Sequence, residues 1–210
     1  MVRRAGFALV GLGMLLMGWT VITVVFGVPI TSIYTRHEQR VLAHRLKVAD
    51  RHWSARRGSV RRRALDFARS LREGDPIGRI TVRRLGLDMV VVQGTTESDL
   101  RKGPGHYDAE SGVNTSLPGL GGVIAIAGHR TTYLHPFRHI DDLRRGDRLG
   151  LTMPYGRFVY RVLGHRVVTP SDWSILKPTP YEEVVLSACE PPYSASHRYV
   201  VFARLVTAPA

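Results

Sequence analysis

Cys189 is the only cysteine in 210 residues. It closes the run Val184-Val185-Leu186-Ser187-Ala188. Arg198 opens a second β-branched run, YVVFARLV, after the eight residues EPPYSASH. A thiol delivered to the end of a strand is a candidate nucleophile, because the strand holds it rigidly and the end leaves it open to substrate. A guanidinium on the next strand favours a nucleophilic thiolate and can hold an oxyanion as it develops. The competing reading is an inert thiol packed as a small hydrophobe, with Arg198 a plain surface charge. A lone cysteine excludes an internal disulfide framework and a Cys-rich zinc site.

Alternation along the first run places Val185, Ser187 and Cys189 on one face and Val184, Leu186 and Ala188 on the other. Glu190-Pro191-Pro192 then stops the ladder, since proline has no N–H to donate. If the two runs pair as a hairpin, thiol and guanidinium lie on adjacent strands. An acylating cysteine also needs a base that later serves as an acid, most often histidine. Of nine histidines, His129 is singled out because it ends the apolar run V-I-A-I-A-G-H, with Gly128 permitting close backbone approach. His106, His135, His139 and His165 read as loop or polar-face residues. His197 competes but points to the opposite strand face from Arg198. The candidate set is Cys189, His129 and Arg198. The sequence holds no Gly-rich phosphate loop, metal-ligand cluster or dinucleotide fingerprint, so no metal and no cofactor are expected.

Three segments must position these groups. Residues 1–32 read as a short tail and a membrane anchor, since the 26 residues from Ala5 to Ile30 carry no charge. At about 1.5 Å per residue one helix of that length spans a bilayer core of roughly 30 Å. The rival is a buried helix of a soluble core. Arg3 and Arg4 flank one side; Arg36, Arg40, Arg45 and Lys47 flank the other. That count alone puts the C-terminal side in the cytoplasm. Residues 33–75 read as a basic helical stalk, with Leu42, Leu46, Ala49 and Trp53, then Val60, Ala64, Phe67 and Leu71, at helical spacing on either side of Gly58. From residue 76 to 210 the texture is short strands and turns. Seven or eight strands with few long helices predict a mainly β domain, a small closed barrel. An immunoglobulin-like sandwich fits the strand count, but the connection after His129 is long for it.

Charge follows the same division. Residues 1–79 hold 15 Lys/Arg against 5 Asp/Glu, and residues 80–210 hold 15 against 12. The basic third suits nucleic acid, anionic lipid or an anionic wall polymer, or is a solvated arginine-rich helix surface.

The stretches GDPIGRI, GPGHY, AGHRTTY with PF and GDRL behind it, and LSACEPPYSASHRYVV occur in the order found in sortases. From about Gly74 to Val206 the chain resembles that family of cell-wall transpeptidases. GPGHY and AGHRTTY resemble its class E, the housekeeping type of Gram-positive high-GC actinobacteria. The resemblance implies a sortase-like barrel outside the membrane, with Cys189 as nucleophile, His129 as general acid/base and Arg198 as transition-state stabiliser. It further implies Tyr107, and Thr131 beside His129, as substrate-binding positions. The implied partners are secreted proteins with a C-terminal LAxTG/LPxTG-type sorting signal, a peptidoglycan precursor amine as acceptor, and the membrane, but not nucleic acid. The family's T-L-x-T-C reads V-L-S-A-C here, so Val185 and Ala188 replace two threonines. That motivates an alternative, a weak or inactive sortase-like protein that binds sorting signals or wall precursors.

Overall fold

The computed structural model describes residues 2–26, 29–108 and 115–209. Gly27 and Val28 of the apolar stretch therefore lie outside the described residues. Helix α1 spans Val2–Phe26. Its window Gly6–Thr23 has a mean hydropathy of 1.8 and none of it is buried by protein. Phe7, Leu9, Met14, Leu15, Met17 and Trp19 are 57–73% exposed. An apolar helix that packs on nothing in water has its partner in lipid.

Helix α2 (Pro29–Ser54) and helix α3 (Val60–Ser70) follow, divided by a turn around Gly58. Both lie against the β domain. Leu42 is buried with Val90 and Val92, which at full burial contributes roughly 2 kcal/mol. Beside it the Gln39 amide donates to the Val90 carbonyl at 3.0 Å and accepts from the Val90 N–H at 2.8 Å. The side chain thereby stands in for a neighbouring strand where the ladder has none, so neither backbone group is left unpaired. Ser59 caps α3 by accepting from the Arg62 N–H, and the apolar face of α3 buries Ala64 and Phe67.

Among the described residues eight strands close into a barrel: β1 (Pro76–Val82), β2 (Leu87–Gln93), β3 (Gly105–His106), β4 (Val123–Ala127), β5 (Arg148–Met153), β6 (Gly156–Val168), β7 (Glu183–Glu190) and β8 (His197–Thr207). Their order around the barrel is β1-β2-β3-β4-β7-β8-β6-β5. This is the expected mainly β closed barrel. Neighbours pair antiparallel except β2 with β3 and β4 with β7, which are parallel. The tight link from β1 to β2 is a 3-10 turn, Arg83–Leu85, closed by Gly86 at φ 61°. Short helix α4 (Glu97–Leu100) follows β2, capped by Thr96.

The barrel interior holds Ile80, Ile124, Ile126, Leu149, Phe158, Val184, Leu186 and Val201. One end is closed by an aromatic series, with Trp53 and Phe67 edge-on at 5.4 Å, Phe67 and Tyr155 tilted at 5.5 Å, and Tyr155 and Phe158 edge-on at 5.9 Å. Near that end the buried Glu182 carboxylate accepts from Tyr160 Oη at 2.6 Å and from the N–H groups of Gly119 and Gly121 at 2.9 Å. These donors let a carboxylate sit in the core.

Candidate active site

Strand β7 places its side chains as the alternation predicts. Val184, Leu186 and Ala188 join the barrel core, while Val185 joins an outer-face cluster with Val123, Ala125, Val168 and Val200. Ser187 and Cys189 continue the outer face by alternation. Across the antiparallel ladder Cys189 pairs with Arg198, and Val200 two residues on is again outer. Thiol and guanidinium thus share one face at the end of a hairpin. Cys189 is half-buried. The Arg198 guanidinium donates to the carbonyls of Ala195 and His197, both at 3.0 Å, which holds it against its own loop. His197 pairs with Glu190 and alternates with core Tyr199, so it points to the other face, as expected.

His129 arrives from β4. That strand runs parallel to β7 with Ala127 opposite Ser187, and the Gly128 N–H donates to the Ser187 carbonyl at 3.1 Å. His129 and Cys189 are each two residues beyond the same pair. A Cβ on Gly128 would lie 2.6 Å from the Phe137 ring, so only glycine lets the chain pass Phe137 at this point. The His129 ring packs at 5.1 Å on Tyr133, and its buried Nε2 has no hydrogen-bond partner among the described residues. Burial holds the imidazole below its ordinary value, helped by Arg101 and opposed by Glu97. A ring so placed is neutral at pH 7, able to take a proton and then return it.

Tyr107 packs against the outer cluster, with its hydroxyl 3.3 Å from Ser187 Oγ. It lies one outer-face step from Cys189. Ile175 and Leu176, from the connection between β6 and β7, cover the same face. Thr131 sits elsewhere, in a cleft of about 330 Å³ lined also by Arg138, Asp142 and Pro192.

Two further residues find their partners only in the folded chain. Arg130 is 4% exposed and forms ion pairs with Asp141, at 2.7 Å, and with Glu190. It also donates to the Cys189 carbonyl at 3.4 Å, tying the loop after β4 to the end of β7. Glu190, the carboxylate directly after the thiol, is thereby paired off. His106 corrects the assignment to a loop or polar face. It is 2% exposed on β3, with Nδ1 3.0 Å from Gln93 Oε1 and Nε2 2.9 Å from the Ser116 carbonyl. Desolvation dominates its environment, outweighing the Ser116 bond and Asp108, and lowers its pKa to about 4. Neither position carries a periodicity signal, since one follows a strand and the other lies in a strand of two residues. Among the described residues no group of three or more His, Cys, Asp or Glu could hold a metal ion.

Comparison with known proteins gives the family of the barrel domain. The sortase domain matches residues 80–206. Sortase D of Bacillus subtilis is 33% identical over 138 residues, which is 64% of this chain and 66% of that protein. A Clostridium perfringens sortase D5 transpeptidase superposes with a TM-score of 0.66 at 25% identity, covering 80% of this chain and 99% of that one. Sortase E from Streptomyces avermitilis gives 0.58 at 33% identity, covering 66% of this chain and 93% of that one. The matched part of the chain spans 42–66% of the lengths of its curated relatives. Sortases named A, D and E are all among the relatives, at similar identity, so the comparison singles out no class. A single N-terminal apolar helix followed by an extracellular barrel is the sortase topology, and α1 with this barrel has that form; the count of flanking basic residues pointed the other way. By the match over most of the barrel and by the barrel itself, the chain belongs to the sortase family.

Proposed function

We propose that this chain is a membrane-anchored cysteine transpeptidase that cleaves a C-terminal sorting signal between Thr and Gly. The observation that carries the reading is the pairing of Cys189 with Arg198 on one outer face, beside the end of the strand that leads into His129. In this reading Cys189 Sγ attacks the Thr carbonyl carbon while His129 takes the thiol proton. Arg198 turns from its loop carbonyls to the oxyanion. The Thr–Gly C–N bond then breaks, and His129 passes its proton to the departing glycine amine. An amine of a peptidoglycan precursor attacks the thioester next, releasing Cys189 and forming a new amide. Its proton returns through His129 to the thiolate.

The GPGHY and AGHRTTY stretches favour the class E, housekeeping type, and Tyr107 on the substrate face favours LAxTG over LPxTG signals. Thr131, in the cleft it shares with Arg130 and Pro192, is a second substrate contact in this reading. Residues 1–32 serve as tail and anchor, 33–75 as the helical connection and 76–210 as the catalytic unit. Nucleic acid is not a partner in this reading.

A binding-only protein is the alternative that Val185 and Ala188 raise. Ala188 is 3% exposed in the barrel core, so its missing hydroxyl is lost from the inner side of β7 and not from the face of Cys189. That favours the active reading. Intact-mass measurement of the full chain in detergent, after incubation with LAxTG and LPxTG peptides, tests it. A thioacyl adduct on Cys189 is expected, formed faster with LAxTG; bound peptide without an adduct would leave only the binding role.

A further inference from the structure

The two ends of α2 touch opposite poles of the barrel. Near its start Thr35 Oγ1 donates to the Arg101 carbonyl, and the Gln39 amide donates to the Lys102 carbonyl, both at 2.8 Å. The Arg101 guanidinium lies 5.8 Å from the centroid of Tyr133, and Tyr133 lies 5.1 Å from His129. The beginning of α2 is therefore pinned to the pole that carries His129. Beyond its other end, Arg61 of α3 donates to the Leu120 carbonyl at 2.9 Å. Leu120 precedes β4, whose far end leads into His129, and five strand residues separate the two by roughly 17 Å.

Helix α1 ends at Phe26, and α2 begins at Pro29. With about 1.5 Å of rise per residue, Thr35 lies roughly 9 Å past the start of α2 and Ser54 roughly 37 Å past it. Ile33 and Tyr34, 66% and 43% exposed, stand where an apolar side chain and an aromatic ring suit the headgroup level.

We infer that the pole carrying Cys189 and His129 is presented to the membrane surface, so that the protein works on peptide segments held close to the bilayer. The opposite pole, with its exposed Arg56, Arg57 and Arg62, points away. This inference rests on the proposed function for the identity of the reaction centre; the placement itself rests on the hydrogen bonds of Thr35 and Gln39. The rival placement lays α2 flat, so that those arginines, which have no ion-pair partner among the described residues, reach lipid phosphates. A helix lying in the interface needs a free apolar face. The apolar face of α2 is taken up by the barrel through Leu42 and Trp53, and what remains exposes Val41 and Val48 among charged residues.

Because Cys189 is the only cysteine, the test uses the full chain in nanodiscs with energy-transfer acceptors on the lipid headgroups. One sample carries a donor dye on Cys189. The other carries it at Arg57→Cys in a Cys189→Ala background. The expected result is several-fold stronger transfer from position 189, with position 57 farther from the lipid plane by at least the roughly 17 Å that separates the two poles along β4. Equal transfer, or stronger transfer from position 57, overturns the inference. Zwitterionic and anionic discs should give the same order; a reversal confined to anionic lipid would show that the arginines set the orientation, and overturns it equally. Thioacylation is measured separately on the unlabelled chain, so its failure would remove the proposed reaction while the distances still decide the orientation.

Discussion

His129, two residues past the end of β4, and Cys189, near the end of the parallel β7, each lie two residues beyond the pair Ala127–Ser187. Sixty positions separate them in the chain, and a single ladder aligns them. Arg198 is aligned with Cys189 by the next ladder, between β7 and β8. Cys189 and Arg198 are thus set by one strand register, and His129 follows directly from the end of a second.

Replacing these side chains should remove the reaction and leave the fold. Cys189→Ala is expected to form no adduct with a sorting-signal peptide. Arg198→Ala should lower kcat/KM about 10²–10³-fold, the usual cost of a lost oxyanion donor. Arg198→Lys should fall between Ala and the native chain, since an ammonium keeps the charge without the fork. Full activity in Cys189→Ala would sink the assignment.

The pH profile should report His129. Burial lowers its pKa from 6.5, so the neutral base persists to more acidic solution than a free imidazole, and the acid limb of kcat/KM should lie below 6.5. Arg101 lowers the pKa and Glu97 raises it. Arg101→Gln should therefore move the limb up and Glu97→Gln should move it down. A limb that ignores both substitutions would mean that another group titrates.

His106 makes stability depend on pH. Its folded pKa of about 4 lies below the unfolded 6.5, so the unfolded chain binds the proton more readily. The stability is whole above pH 6.5 and is lost as pH falls towards 4, a loss of roughly 3 kcal/mol. Melting midpoints across that window should drop in the native chain and flatten in His106→Gln. An equal slope in both would show that other groups carry the effect.

Arg130 joins the loop after β4 to the end of β7. Its side chain is 3% exposed, whereas those of Glu190 and Asp141 are 25% and 49% exposed and can rehydrate when it is removed. Arg130→Met should therefore cost about 2 kcal/mol, less than a fully buried pair. That corresponds to a melting midpoint lower by roughly 4–8 °C. Adding Glu190→Gln should recover part of the loss, because it removes the carboxylate left unpaired. No recovery would point to packing of the guanidinium against Tyr199, whose ring centroid lies 5.7 Å away, in place of the ion pair.

Much of this was legible in the residues. Alternation along β7 assigned Cys189 and Ser187 to one face and Ala188 to the other, because a strand turns its side chains with a period of two whatever it pairs with. The prolines after Glu190 marked the strand end, the uncharged stretch marked the membrane helix, and Gly128-His129 marked the end of β4. Local chemistry sets each of these. The pairing of β4 with β7, the lodging of α2 and α3 on the barrel, the burial of His106 and the clamp by Arg130 were decided only in three dimensions. Each depends on which distant segment supplies a partner, as Gln39 does for Val90 and Ser116 for His106. Periodicity tells a segment which face to bury, but it does not name the segment that will cover it.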